Sequence, residues 1–284
     1  MFSTTDMTNY TSFFEGKAAG KVNFNTCASN DFLTNESFKT LRTNIMFCGS
    51  DIKVIVLTSS RENEGKSTIS AEIARSMAEI DKKTLLIDAD MRKSVMIHRN
   101  IASQNFYGLS EFLSSQAELD MVLYNTQNPM FDVIFSGHYP PNPVELLSSD
   151  RFNKLIHDAR EIYDYVIIDS PPLGSVIDSA VIATQCDGSI IIITIGKTTV
   201  KEGLEVKTQL EKSGCKILGA ILNDPDGKNT KYYKKHYKSY EYSASGKRIK
   251  ELYTNTAEAL NLGGIFLFDL TVCQPFFRRC QTCG

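Results

Sequence analysis

Apolar residues recur along the chain in short continuous runs, separated by longer stretches with helical spacing. The runs lie at 53–58, 84–88, 131–135, 165–169, 189–195 and 217–222. Amphipathic stretches lie at 67–80, 150–162, 176–185 and 200–213, and an earlier helix is expected to begin near Asn35 and Glu36. Continuous apolar runs are typical of strands buried on both faces. Because such strands alternate with helices, we predict an α/β fold with a doubly wound, mostly parallel sheet.

The same pattern divides the chain into four parts. Residues 1–30 are polar and show no sustained period, which predicts a mobile N-terminal arm. Residues 31–224 carry the strand and helix pattern and form the predicted α/β domain. Residues 225–248, rich in Lys and Tyr, are expected to be exposed and flexible. Residues 249–284 form an extension to which we assign no role, with a helix expected from Lys247 to Leu260.

Composition limits the classes of function that the chain can have. It has 284 residues, of which 42% are hydrophobic and 23% charged, enough for one large domain with a buried core. The net charge of −2 gives no basic field of the kind that attracts nucleic acid. No apolar run reaches the ~20 residues of a membrane helix, and the N-terminus lacks the pattern of a signal peptide. We therefore expect a cytoplasmic protein that binds no nucleic acid.

The segment Ser-Arg-Glu-Asn-Glu-Gly-Lys-Ser, residues 60–67, lies between a predicted strand and a predicted helix. In that place the backbone N–H groups of a loop and the positive end of the helix point at one anion. The pattern predicts a nucleotide-binding loop, and hence a fold of the P-loop NTPase type; an ordinary turn is the alternative. The residues predicted to contact the nucleotide in this loop are Ser60, Glu64, Gly65, Lys66, Ser67 and Thr68.

Three acidic residues follow two other predicted strands. Asp88 and Asp90 end the run at 84–88, and Asp169 ends the run at 165–169. Carboxylates directed at one point repel each other unless a cation or a proton lies between them. Mg²⁺ prefers oxygen ligands and takes few of them from the protein, so we predict a magnesium site here. The alternative is that these residues only cap strand ends and begin turns.

These motifs, in chain order, resemble those of the bacterial tyrosine kinases of the capsule and exopolysaccharide type. That family combines a P-loop, a segment of the form Asp-x-Asp-x-Arg after an apolar run, and a strand that ends in Asp. Here the matching residues are 60–67, 88–92 and 166–169. The segment Ser-Gly-His-Tyr-Pro-Pro-Asn-Pro-Val-Glu-Leu-Leu at 136–147 and the segment Phe38–Ile45 resemble two further family segments.

The resemblance implies an ATP-dependent protein-tyrosine kinase that phosphorylates itself in trans and regulates the synthesis of capsular polysaccharide or exopolysaccharide. Lys66 would hold the transferred phosphoryl group, and Asp88 would accept the tyrosine proton. Asn223 would contact the base of the nucleotide, although a turn-forming role before Pro225 is the alternative. The residues that would hold Mg²⁺ are Ser67, Asp90 and Asp169.

The loop departs from the family pattern at Glu62 and Asn63, where relatives usually carry Pro-Gly. Asn tolerates a left-handed backbone, but Glu62 and Glu64 would weaken nucleotide binding unless they point away from it. Arg61 stands where the partitioning and septum-positioning ATPases carry a second Lys, which favours the kinase over such an ATPase switch. A catalytically inactive scaffold remains a further alternative, suggested by Glu62 and Asn63.

A cluster of tyrosines lies between residues 232 and 242, with lysines interleaved. So much charge makes burial a poor explanation, and the resemblance implies that these hydroxyls are the phosphate acceptors. A basic and aromatic patch for single-stranded nucleic acid is the alternative. The expected acceptors are Tyr232, Tyr233, Tyr237, Tyr240 and Tyr242.

The resemblance also implies partners. The family's Glu-x-x-Arg-x-x-Arg assembly motif appears as Glu36, Lys39 and Arg42, so we expect a ring-like homo-oligomer, with a weaker contact at Lys39. About 50 residues precede the first predicted strand, and they include no helix that would span a membrane. In this respect the chain resembles the split form of the family. We therefore expect activation by the cytosolic tail of a membrane protein, recruitment to the inner face of the plasma membrane, and a cognate tyrosine phosphatase.

Overall fold

A computed structural model describes residue 14 and residues 18–24, 32–101, 106–194, 197–223 and 266–270. In this part of the chain nine strands form one sheet. They are β1 (Gly20–Lys21), β2 (Val54–Ser59), β3 (Thr84–Asp88), β4 (Leu123–Asn125), β5 (Phe131–Ile134), β6 (Tyr165–Asp169), β7 (Gly188–Thr194), β8 (Ile217–Asn223) and β9 (Phe266–Leu270).

The strand order is β1-β4-β5-β3-β6-β2-β7-β8-β9. Every neighbouring pair is parallel except β4 and β5, which run antiparallel. The strand that leads into the predicted phosphate loop, β2, lies between β6 and β7 near the centre of the sheet. The predicted doubly wound, mostly parallel sheet is confirmed.

Helices connect the strands and cover both faces of the sheet. They are α1 (Phe32–Phe47), α2 (Lys66–Ala78), α3 (Met96–Asn100), α4 (Leu109–Leu113), α5 (Pro143–Leu147), α6 (Asp150–Ile162), α7 (Asp178–Ala183) and α8 (Val200–Lys212). A single 3₁₀ turn at Leu119–Met121 precedes β4. Among these described helices, none is long and apolar enough to span a bilayer.

Successive residues of each strand pack into different cores. In β2, Val54 and Val56 belong to the core beneath α6, α7 and α8, whereas Ile55 and Leu57 belong to the core beneath α1 and α2. All six residues of β2 are buried. A strand covered on both faces needs apolar residues at consecutive positions, which explains the continuous runs in the sequence.

Local signals in the sequence fix the ends of the longer helices. Helix α6 begins after Ser149, whose side chain accepts a hydrogen bond from the N–H of Phe152. Helix α8 begins after Thr199, which forms a capping box with Glu202. Such caps bind N–H groups that have no partner inside the helix. They account for the agreement of the predicted and observed starts of both helices.

The described part of residues 1–30 differs from the mobile arm that the sequence predicts. Gly20–Lys21 pairs with β4 at the edge of the sheet. Phe24 is buried, with its ring centroid 5.1 Å from that of Phe131, and Phe14 packs against Tyr163 at 5.4 Å. Two isolated aromatic residues in a polar stretch show no period, so the pattern did not reveal that they reach the core.

Two expectations for the C-terminal region fall on residues that the structure does not describe. The helix expected at 247–260 and the segment 225–248 both lie outside the described residues. Within residues 249–284, the structure places β9 parallel to β8 at the edge of the sheet.

We predict that Phe24→Ala lowers the free energy of unfolding by about 3 kcal/mol, because it removes a ring buried against two others. Phe47→Ala is the matched control, since Phe47 is 81% exposed, and should change this free energy by about 0.5 kcal/mol or less. Urea denaturation measures both. Equal effects of the two substitutions would show that the arm contributes nothing to folding.

Candidate functional site

The register of three neighbouring strands brings the predicted acidic residues and the loop together. Asp169 pairs with Asp88 across β6 and β3, and with Leu57 across β6 and β2. Because β2 ends at Ser59, the loop that begins at Ser60 starts beside Asp169. The carboxyl ends of parallel strands at the centre of such a sheet are the usual place for a ligand.

The backbone of the loop takes left-handed conformations at two positions. Gly65 has φ 88° and Asn63 has φ 58°, as expected for an Asn that replaces a glycine. Helix α2 then begins at Lys66, with its first N–H groups directed back towards the loop. A side chain at Gly174 would place its Cβ 2.2 Å from the carbonyl oxygen of Ser60, so the loop after β6 packs tightly on the phosphate loop.

Glu64 points away from the expected phosphate position. Its carboxylate is buried, with 1% of the residue exposed, and accepts hydrogen bonds from the N–H of Arg61, at 2.9 Å, and from the Thr198 hydroxyl. Its carbonyl oxygen accepts a hydrogen bond from Asn223 Nδ2 at 2.9 Å. Glu64 thus ties the loop to the segment between β7 and α8 and to the end of β8, rather than placing its charge beside the ligand.

A cavity of about 130 Å³ lies over the loop. Of the residues predicted to contact the nucleotide or the metal, five line it: Gly65, Lys66, Ser67, Thr68 and Asp90. Ser60, Glu64, Asp88, Asp169 and Asn223 lie beneath or beside it and do not line it. The cavity also has lining residues that the sequence did not single out as contacts, among them Arg92, Lys93, Arg99, Pro171 and Val176.

Burial raises the pKa of all three carboxylates, because it disfavours their charged forms. It raises the pKa of Asp169 to about 7, although Lys66 and the Ser67 hydroxyl act to lower it. Burial, and then the charge of Asp169, raise the pKa of Asp88 well above its usual value. Burial also raises the pKa of Asp90. The site therefore favours a positive charge beside these groups.

The contacts of the carboxylates show which oxygens are available to a cation. Asp169 Oδ1 accepts from Ser70 Oγ at 3.3 Å, whereas Asp169 Oδ2 is buried and has no hydrogen-bond partner in the described part of the chain. Asp88 accepts hydrogen bonds from the N–H of Asp90, at 3.2 Å, and from the Ser94 hydroxyl. An unpartnered buried carboxylate oxygen fits a bound Mg²⁺ or one of its waters.

The described residues contain no group of three or more His, Cys, Asp or Glu side chains that would hold a metal ion by itself. This agrees with the coordination of Mg²⁺, which usually takes one or two carboxylates and completes its shell with water and phosphate oxygens. The unpartnered Asp169 Oδ2 and the cavity-lining Asp90 and Ser67 are oxygen ligands of the kind that such a metal takes from a protein.

Arg92, the arginine of the Asp-x-Asp-x-Arg segment, is held by a residue outside that segment. Its guanidinium donates to both carboxylate oxygens of Asp178, at 2.8 and 3.2 Å, at the start of α7. Asp178 is 1% exposed, and this pair orients the side chain of Arg92 at the edge of the cavity. No local pattern in the sequence joins two residues that are 86 positions apart.

The residues expected to mediate assembly lie on α1, away from the cavity. Lys39 Nζ forms an exposed ion pair with Glu36 at 2.7 Å. Arg42 instead donates to the carbonyl oxygen of Ser76 near the end of α2, also at 2.7 Å. The five tyrosines expected to accept phosphate lie outside the described residues.

Comparisons of sequence relate the chain to known proteins. Residues 52–213 match the family described as "AAA domain". The chain is 45% identical over 190 residues to "Tyrosine-protein kinase CpsD" of Streptococcus agalactiae, covering 67% of this chain and 83% of that protein. It is 38% identical over 193 residues to "Tyrosine-protein kinase YwqD" of Bacillus subtilis, covering 67% and 81%.

Solved structures give the same relationship. The kinase domain of Escherichia coli tyrosine kinase ETK superposes with a TM-score of 0.63 at 36% identity, covering 67% of this chain and 75% of that one. The septum site-determining protein MinD of Pyrococcus horikoshii, in complex with Mg-ADP, gives a TM-score of 0.52 at 21% identity, covering 61% and 70%. At 21% identity, the similarity to MinD shows a shared fold and nothing further.

We predict that the metal-free protein becomes less stable as pH rises through about 7. Because burial raises the pKa of Asp169 above its ordinary 3.8, the folded protein binds that proton more tightly than the unfolded chain does. The stabilisation from this tighter proton binding is fully present below the pKa that Asp169 has in the unfolded chain. It is lost as the pH rises through the pKa that Asp169 has in the folded protein. Asp169→Asn should therefore lose less stability than wild type between about pH 5 and about pH 8, by on the order of 2 kcal/mol.

Urea denaturation in the presence of a chelator measures this difference, with the exposed Asp120→Asn as the control. Equal losses in wild type and Asp169→Asn would contradict the prediction.

Proposed function

The chain belongs to the bacterial tyrosine kinases, and we propose that it transfers the γ-phosphoryl group of ATP to tyrosines of residues 225–248 in another copy. The observation that carries the proposal is that Lys66 lies beside Asp169, which is opposite Asp88, at the carboxyl ends of the central strands. Relatives that are 37–46% identical are named tyrosine-protein kinases, which favours this function over an ATPase switch or an inactive scaffold.

The phosphate loop would hold the nucleotide through its backbone and Lys66. The N–H groups that follow Gly65 face the cavity at the start of α2, where the helix dipole favours an anion. Lys66 is 6% exposed and would bind the transferred phosphoryl group. Catalysis of such a transfer comes mostly from positioning and from neutralising charge, and these residues supply both. Asn223 and Ser60 would support the loop, and contact of Asn223 with the base would go through Oδ1, which is buried and has no hydrogen-bond partner among the described residues.

Ser67, Asp90 and Asp169 would hold Mg²⁺ or its waters. When bound, the metal would neutralise charge on the β- and γ-phosphate oxygens. Asp169 Oδ2, which has no partner among the described residues, and the cavity-lining Asp90 support this assignment. Lys66 already lowers the pKa of Asp169, and further positive charge beside it would keep both groups ionised at neutral pH.

Asp88 would accept the proton of the incoming tyrosine. A tyrosine has an ordinary pKa of ~10, so its oxygen attacks more readily when a carboxylate removes the proton. The ionised form of Asp88 is a stronger base than an exposed carboxylate, and a cation in the site would keep it ionised. In this role Asp88 exchanges its hydrogen bond from Ser94 for one from the tyrosine hydroxyl.

The acceptors would be Tyr232, Tyr233, Tyr237, Tyr240 and Tyr242. The interleaved lysines favour an exposed segment, whose hydroxyls would enter the site of a neighbouring copy. Each phosphate would add ~1.5–2 negative charges and turn a basic segment acidic. Phosphorylation would thereby release the segment from the neighbour.

The proposed setting is a ring of copies at the inner face of the plasma membrane. Lys39 is exposed and Glu36 partly exposed on α1, and both would contact another copy, whereas Arg42 would exchange its bond to Ser76 for one across the interface. A membrane protein would recruit and activate the ring through its cytosolic tail, and a tyrosine phosphatase would reverse the reaction. In this setting the kinase would regulate the synthesis of capsular polysaccharide or exopolysaccharide.

We predict that purified wild-type protein with Mg-ATP acquires phosphotyrosine, and that Lys66→Met lowers the rate at least about 100-fold by removing the cation at the phosphates. A variant with Phe at all five tyrosines of 232–242 should remain unlabelled, and the exposed Lys201→Met should behave as wild type. An antibody against phosphotyrosine measures the product.

Absence of label from wild type, with and without the activator tail, would contradict the proposal. Hydrolysis of ATP without phosphotyrosine would instead support the switch ATPase.

A further inference from the structure

An ion pair spans the mouth of the cavity over the phosphate loop. Lys93 Nζ lies 2.6 Å from Glu62 Oε2, and both residues line the cavity together with Lys66. Their side chains are 64% and 52% exposed, so both ends of the pair are in contact with water. Glu62 belongs to the loop and Lys93 to the turn after β3, so the pair joins the two segments that flank the site.

The backbone on the Lys93 side is fixed by the carboxylate assigned to the metal. Asp90 Oδ1 accepts hydrogen bonds from the N–H of Lys93 at 3.0 Å and from the N–H of Arg92 at 3.3 Å. Arg92 is itself held by Asp178. The start of the Lys93 side chain is therefore fixed beside the cavity, while its ammonium group can rotate.

The backbone on the Glu62 side is fixed as well. Arg61, the preceding residue, donates its backbone N–H to the buried carboxylate of Glu64 at 2.9 Å, and Asn63, the following residue, takes a left-handed conformation. Glu62 is therefore held at the mouth of the cavity, where its negative charge faces any phosphate that enters. Lys93 is the cation that offsets this charge in the protein without nucleotide.

From this arrangement we propose that Lys93 is a second phosphate-binding cation of the site, and that Glu62 competes with the nucleotide for it. The proposal rests on the proposed function, since it requires a polyphosphate in the cavity. An exposed ion pair is weak, whereas a charge-assisted bond from an ammonium group to a phosphate is short and strong. The entry of a polyphosphate therefore draws Lys93 from Glu62 to the phosphate oxygens.

Four proteins test the exchange: wild type, Glu62→Gln, Lys93→Gln and the variant with both substitutions. We expect Glu62→Gln to bind Mg-ATP about threefold more tightly than wild type, because Lys93 is released and a repelling charge is lost. In the Glu62→Gln background, the further change Lys93→Gln should weaken binding about tenfold, because it removes a phosphate contact. Titration calorimetry gives each dissociation constant.

The dissociation constants of Glu62→Gln and of the double variant show whether Lys93 contacts the phosphates. If Lys93 serves only to offset Glu62, its removal changes nothing once Glu62 is neutral, and equal dissociation constants would overturn the proposal. Lys201→Gln in the same background is the control, since Lys201 is 84% exposed on α8 and does not line the cavity. A loss with Lys201→Gln equal to that with Lys93→Gln would also overturn it, because the effect would then follow from net charge alone.

The same titrations separate this inference from the proposed function. If wild type binds Mg-ATP but Lys93→Gln leaves the dissociation constant of the Glu62→Gln variant unchanged, the inference alone is overturned. Wild type that binds no ATP overturns both. Restoration of tight binding by Lys93→Arg in the Glu62→Gln background would support the requirement for a cation at this position.

Discussion

The site depends on two carboxylates that the sheet forces together. The parallel register of β3 and β6 places Asp88 opposite Asp169, and both residues are almost completely buried. Two charges cannot share such a place without a cation or a proton, and burial raises the pKa of both. Lys66 supplies one positive charge from the adjacent loop. The sheet, whose strands are buried on both faces, holds the two residues opposite each other, so the need for a further cation or a proton is built into the fold.

The unusual acidic residues of the loop have separate structural explanations. Glu64 is turned into the protein, where it accepts hydrogen bonds from Arg61 and Thr198 and ties the loop to the β7–α8 segment. Glu62 stays at the surface, and Lys93 offsets its charge. Neither residue leaves an uncompensated negative charge at the phosphate position. A loop that departs from the usual Pro-Gly sequence can thus keep the geometry of a phosphate cradle, with Asn63 in the left-handed conformation.

The sequence predicted the parts of this molecule that local patterns encode. The continuous apolar runs predicted β2, β3, β5, β6, β7 and β8, and the Gly-Lys-Ser segment after β2 predicted the loop. Strands β1, β4 and β9 and the burial of Phe24 were missed, because β1 and β4 are two and three residues long, Phe24 lies in a stretch without a period, and β9 lies in a region to which the pattern assigned no strand. The direction of Glu64, the pairing of Arg92 with Asp178 and the contact of Glu62 with Lys93 were missed for another reason. Each joins residues that are 31 to 134 positions apart or depends on a loop conformation, and no local pattern records such contacts.

The central claim is that one copy donates phosphate from its loop to the tyrosines of another. A mixture of two variants tests it most directly: Lys66→Met, which keeps its tyrosines, and the variant with Phe at the five tyrosines of 232–242, which keeps its loop. Each is incubated with Mg-ATP alone and then together. The account predicts phosphotyrosine only in the mixture, on the Lys66→Met copy. An unlabelled mixture under conditions in which wild type labels itself would contradict transfer between copies.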